Sequence, residues 1–146
     1  MIGVAALAGA AAAQRGPNDI DFMGTRTEGG SRCEVFGPPF EGRYCPAGAA
    51  TFRAHGDKVF ACDYKVDGHS VVLRGRYTGK RDWNTLLVNH WGPKAFNGCR
   101  ARDANYRENR SIQFKVCLAR FAKPGGRRMD ILGSTCGPIS ETFNAS

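Results

Sequence analysis

Apolar and polar side chains alternate with a period of two along residues 58–77 and again along 111–121, and no stretch sustains a 3.6-residue apolar repeat. That pattern predicts strands and no long helix. The first stretch, KVFACDYKVDGHSVVLRGRYTG (58–79), brackets Asp67-Gly68. Asp-Gly is the signal for a two-residue turn whose central residues need positive φ. The expected hairpin sets Val66 opposite His69, Tyr64 opposite Val71 and Cys62 opposite Leu73. Phe60, Cys62, Tyr64, Val66, His69, Val71, Leu73 and Tyr77 then share a buried face. Val59, Asp63, Lys65, Ser70, Val72, Arg74 and Arg76 share the outer one.

Further strands follow from the same reading. Thr51–Arg53 predicts a short strand, and Trp83–Trp91 (WNTLLVNHW) one buried on both sides. In Ser111–Phe121 (SIQFKVCLARF), Ile112, Phe114, Val116 and Leu118 point inward and Gln113, Lys115, Cys117 and Ala119 outward. Met129–Leu132 is its return strand. Turns are expected at Thr78–Asp82, Asn97-Gly98 and Lys123–Gly126, and His55 falls in another; residues 92–110 read mostly as loop. Short strands separated by Gly and Pro turns predict an all-β fold, a small antiparallel β-sandwich or barrel. The 146 residues suffice for one globular domain. Within it, residues 1–13 resemble a signal peptide, 14–50 form an N-terminal arm with a Cys-bounded loop, and 51–146 are the antiparallel β-domain.

Composition adds a compartment. MIGVAALAGAAAA, residues 1–13, has the apolar run and small-residue end of a secretory signal, without its basic start. Behind it stand six cysteines: Cys33, Cys45, Cys62, Cys99, Cys117 and Cys136. An even number behind such a segment points to disulfides and a secreted, extracellular protein. The nearest two cysteines are twelve positions apart, so no zinc knuckle is present and no metal or cofactor is expected. Cys33 and Cys45 flank a Gly-Pro-Pro turn, Cys117 and Cys136 flank the second hairpin, and Cys62 is left for Cys99. A Cys62–Cys117 bond across two sheets is the competing arrangement.

Charge adds a partner. The net charge is +8. Residues 74–128 hold fourteen Lys and Arg against Asp82, Asp103 and Glu108, a local +11. Such an excess attracts polyanions: cell-wall polymers, nucleic acid or anionic lipid surfaces. Arg74, Arg76, Arg100 and Arg102 are the candidate contacts, with Trp83, Trp91 and His90 as aromatic and polar companions. The two tryptophans are eight apart and share a face of an unbroken strand, where burial in the core is the expectation for the type. The arginine row is an ordinary solvated face unless basic residues from elsewhere, such as Arg100, Arg102, Lys115 or Arg120, converge on it.

Ala61-Cys62-Asp63, the run Asp67–Val72, a Trp-Asn segment, a loop cysteine and Ser111–Cys117 follow one another in an order that resembles small secreted β-domain proteins of actinomycetes, a group of uncharacterised function. The resemblance covers about residues 51–137 and implies secretion and an all-β fold. It carries over no catalytic residue. Catalytic motifs are equally sparse in the residues themselves. There is no G-x-S-x-G elbow, P-loop or dinucleotide glycine pattern. Asn109-Arg110-Ser111 and Asn144-Ala145-Ser146 fit the short glycosylation sequon. The reading is a non-enzymatic binding module for an anionic or glycan extracellular component. The alternative is a small secreted hydrolase or toxin acting on RNA or cell wall, with His90 or His69 working beside Glu108.

Overall fold

The computed structural model describes residues 16–27, 46–65, 68–89, 98–121 and 128–145. The strands among them are β1 (Ile20–Gly24), β2 (Gly48–Arg53), β3 (Lys58–Asp63), β4 (Ser70–Tyr77), β5 (Asn84–Asn89), β6 (Cys99–Asp103), β7 (Arg110–Phe121), β8 (Met129–Leu132) and β9 (Ser140–Asn144). A 3-10 turn, Gly133–Thr135, follows β8. The strands form two antiparallel sheets that pack together. One has the order β1-β2-β3-β6, and the other β5-β4-β7-β8 with β9 also on β7. The fold is therefore an all-β sandwich. No helix among the described residues is long and apolar enough to cross a membrane.

β7 is the hub. One edge pairs with the whole of β4, from Ser70 opposite Ala119 to Tyr77 opposite Ile112. Its other edge is shared, β8 taking residues 118–121 and β9 residues 110–114. Ile112, Phe114, Val116 and Leu118 enter the core, as the alternation predicts. They meet Phe52, Val59, Ala61, Val71 and Leu73 from the facing strands. Phe52 and Phe114 stack at 4.8 Å between centroids, and Tyr106 stands edge-on to both. Burying side chains of this size stabilises by roughly 1.5–3 kcal/mol each. Two glycines allow close approaches between the sheets and their neighbours. A Cβ on Gly48 would meet Val71 Cγ2 at 2.4 Å, and one on Gly75 would meet the Tyr106 hydroxyl at 2.3 Å.

The expected hairpin of residues 58–77 does not form. β3 lies between β2 and β6, whereas β4 lies between β5 and β7 in the other sheet. Both edges of each strand are taken, so the chain crosses from one sheet to the other where a tight turn was expected. Gly68 does have positive φ (75°), while Val66 and Asp67 lie outside the described residues. The predicted face of β3 is reversed too. Val59 and Ala61 face the core, and Cys62 points outward to its disulfide partner. Both faces of this strand carry apolar side chains, so hydropathy alone could not choose between them. On β4 the predicted inner residues Val71 and Leu73 are fully buried.

Three further strands correct the linear reading. Ile20–Gly24, within the expected N-terminal arm, is a strand that pairs with β2. Cys99–Asp103 is a strand on β3 rather than loop. Ser140–Asn144 completes the edge of β7. Cys62 bonds Cys99 directly across β3 and β6, and Cys117 bonds Cys136 beyond the 3-10 turn. The Cys62–Cys117 alternative is thereby excluded. Cys33, Cys45, residues 1–13 and the turn at 123–126 lie outside the described residues. The turn at 78–82 is as expected, with Gly79 at φ +91° and the Lys80 amide donating to the Tyr77 carbonyl at 3.0 Å. The His55 turn forms too, between β2 and β3.

Candidate anion-binding surface

The outer face of the five-stranded sheet is built by register. β4 and β7 set Arg74 opposite Lys115 and Arg76 opposite Gln113. Like charges placed directly opposite on a sheet repel each other. β4 also reaches β5, where a shift in register beside Arg74 brings Thr85 against it. The Trp83 ring, just ahead of β5, closes the group. The Arg76 guanidinium carbon lies 4.1 Å from the ring centroid and Lys115 Nζ lies 4.4 Å from it. Both fall within the range in which an aromatic quadrupole attracts a cation.

Neutral acceptors hold the two arginines in place. Arg74 donates to the Thr85 hydroxyl and, at 2.9 Å, to the Trp83 carbonyl. Arg76 donates to Gln113 Oε1 at 2.9 Å and to the Arg81 carbonyl at 3.2 Å. Among the described residues no carboxylate lies at ion-pair distance from Arg74, Arg76 or Lys115, whereas on the other sheet Arg53 pairs with Asp21 at 3.0 Å. The cost of gathering the charges is visible in the lysine. Burial, followed by the neighbouring Arg74 and Arg76, pulls its pKa below the ordinary value. Burial lowers that of Arg74 as well.

Beside this group runs a polar ridge. Gln113 Nε2 donates to Glu141 Oε2 at 3.4 Å, and Glu141 Oε1 accepts from Ser111 and, at 2.9 Å, from Thr78. Hydrogen bonds from Ser111 and Thr78 hold the Glu141 carboxyl below its ordinary pKa. Glu141 is thus ionised at neutral pH, with its charge directed to hydroxyls and an amide rather than to the cations. Phe143 lies on the same face opposite Ser111 and is 47% exposed.

The predicted residues divide. Arg74, Arg76 and Trp83 come together, and Lys115 joins them. Trp83 is half-buried on the surface and not in the core, because β5 starts one residue after it. Arg100 and Arg102 stand elsewhere. They share the inner face of β6 and reach across the open side of the sandwich to the outer edge of β5, donating to the carbonyls of Val88 (2.9 Å) and Leu86 (2.7 Å). Arg120 faces Asp130 across β8 and approaches His69 at 3.5 Å. His90 and Trp91 lie outside the described residues. Gln113 and Lys115 were legible as outward positions of an alternating strand. Glu141 and Phe143 were missed because SETFN is too short to show a period.

Of the residues named for the hydrolase alternative, His69 and Glu108 are far apart, while His90 lies outside the described residues. His69 lies beside β4 at the Arg120 end of β7 and Glu108 precedes its other end. At ~3.3 Å per residue that is roughly 30–40 Å. Asn144 of the second sequon is fully buried and donates to the Tyr106 and Arg107 carbonyls, which removes it as a glycosylation site. Among the described residues no cluster of three or more His, Cys, Asp or Glu could hold a metal ion. No family model, no curated protein and no solved structure matches the chain.

Proposed function

We propose that this is a secreted binding module that holds an anionic extracellular polymer against the outer face of its five-stranded sheet. One observation carries the reading: Arg74, Arg76 and Lys115 converge around Trp83 with no carboxylate among the described residues at ion-pair distance. An anion supplied from outside relieves their mutual repulsion and gains charge-assisted hydrogen bonds. The arginines arrive already ordered by Thr85, Gln113 and two backbone carbonyls, so little side-chain freedom is lost on binding. Secretion is supported by the Cys62–Cys99 and Cys117–Cys136 disulfides, a type of bond that persists in oxidising compartments.

The test is the salt dependence of polyanion binding by the oxidised protein. Changing Arg74 and Arg76 together to Ser is expected to leave the thermal midpoint within a few degrees. Binding should weaken, and the slope of log K against log salt should become shallower by about 2. Unchanged affinity and slope at low salt would overturn the proposal.

A further inference from the structure

Building on the anion-binding reading, we infer that the ligand is a linear acidic polysaccharide whose charged groups are spaced by neutral sugar units, lying across the strands from Trp83 to Phe143. Three zones follow one another along that line. The cations Arg74, Arg76 and Lys115 come first. The ridge of Gln113, Glu141, Ser111 and Thr78 is next, bridged to the cations by the Arg76–Gln113 hydrogen bond. The exposed Phe143 ring is last. From β4 to β9 the line crosses two strand spacings, roughly 10 Å, which matches a short oligosaccharide more closely than a single small anion.

Each zone selects. A carboxylate or sulfate fits the cations. Glu141 is an acceptor with a full negative charge, so the part of the ligand above it must donate hydrogen bonds and carry no anion of its own. Sugar hydroxyls meet that condition, whereas a nucleic acid strand brings a phosphate at every nucleotide. Trp83 cannot serve freely as a stacking platform, because Arg76 and Lys115 already lie against its ring. The open aromatic face is at the other end of the line, where Phe143 can take the apolar face of a pyranose.

Titration calorimetry on the full oxidised chain tests this with two probes of equal charge: a hyaluronan oligosaccharide, which alternates carboxylate and neutral sugars, and an oligothymidylate. The hyaluronan probe is expected to bind about tenfold more tightly at the same salt concentration. Phe143→Ala should weaken hyaluronan binding about fivefold or more with little effect on the oligothymidylate, and Phe143→Trp should preserve it. Glu141→Gln should strengthen the oligothymidylate relative to hyaluronan. If the oligothymidylate binds as tightly as hyaluronan, or if hyaluronan affinity ignores both positions, the polysaccharide inference falls. The anion-binding reading then still stands, provided that Arg74→Ser with Arg76→Ser weakens both probes. If that double variant changes neither, both fall.

Discussion

Asp57 shows how far a single residue departs from what its letter suggests. It sits in the turn between β2 and β3 at φ +50°, a conformation that Asp and Asn tolerate better than most residues. One of its carboxylate oxygens is buried without a hydrogen-bond partner. Burial raises its pKa above the ordinary 3.8, Glu108 adds to the rise, and the Tyr106 amide and Asn144 side chain oppose it. A raised carboxylate pKa means that the folded state disfavours the ionised form. The cost is present above the folded pKa and is relieved as pH falls through it toward 3.8. Asp57→Asn keeps the turn and removes the charge. It is expected to raise the thermal midpoint at neutral pH by up to ~4 °C, with the gain vanishing below the ordinary carboxylate range. A gain that persists unchanged in acid would show that charge is not the cause. Nothing in Ala-His-Gly-Asp (54–57) announces this, because the shift comes first from burial in the folded chain and is adjusted by Tyr106 and Glu108, some fifty positions away.

At the scale of elements, legibility followed the number of faces buried. β7 was read correctly because its inner residues are apolar and its outer ones, up to Lys115, polar. β3 was misread because Phe60 and Cys62 on one side look as apolar as Val59 and Ala61 on the other. β6 escaped notice because two of its inward positions are Arg100 and Arg102, the reverse of what a buried strand face should show. Those arginines occupy the carbonyls on the free edge of β5, as inward-pointing charges on edge strands often guard a sheet. Replacing both with Ala is expected to cost about 1–3 kcal/mol in a denaturant titration. It should also expose the β5 edge to pairing, seen as concentration-dependent association in sedimentation. If stability is unchanged and the variant stays monodisperse, the arginines are not what closes that side. The outer face of β4 was legible as a row of arginines. Its partner Lys115 was named only as one of several basic residues, and Glu141 could not be placed at all before β9 was known to lie beside Gln113.

For the whole molecule, the sandwich and two disulfides were legible from strand spacing and cysteine positions, while the assignment of strands to sheets was not. Each disulfide closes a sizeable loop, with sequence separations of 37 and 19. Removing Cys117–Cys136 by changing both residues to Ala should cost about 2–4 kcal/mol. Thiol titration of the denatured, unreduced wild type should find no free sulfhydryl among Cys62, Cys99, Cys117 and Cys136; labelling at any of them would contradict the pairing.

The order in which strands enter the two sheets has a consequence for how the chain acquires its shape in time. It lays down three strands of one sheet, moves to the other for β4 and β5, returns for β6, and only then supplies β7. Neither sheet is drawn from one continuous stretch. A chain emerging from its N-terminus first therefore holds β4 without the neighbour that covers its second edge until residues 110–121 arrive. No early segment can settle as a finished half, and the molecule must close late and as a unit, on the slower timescale of folds dominated by distant pairings.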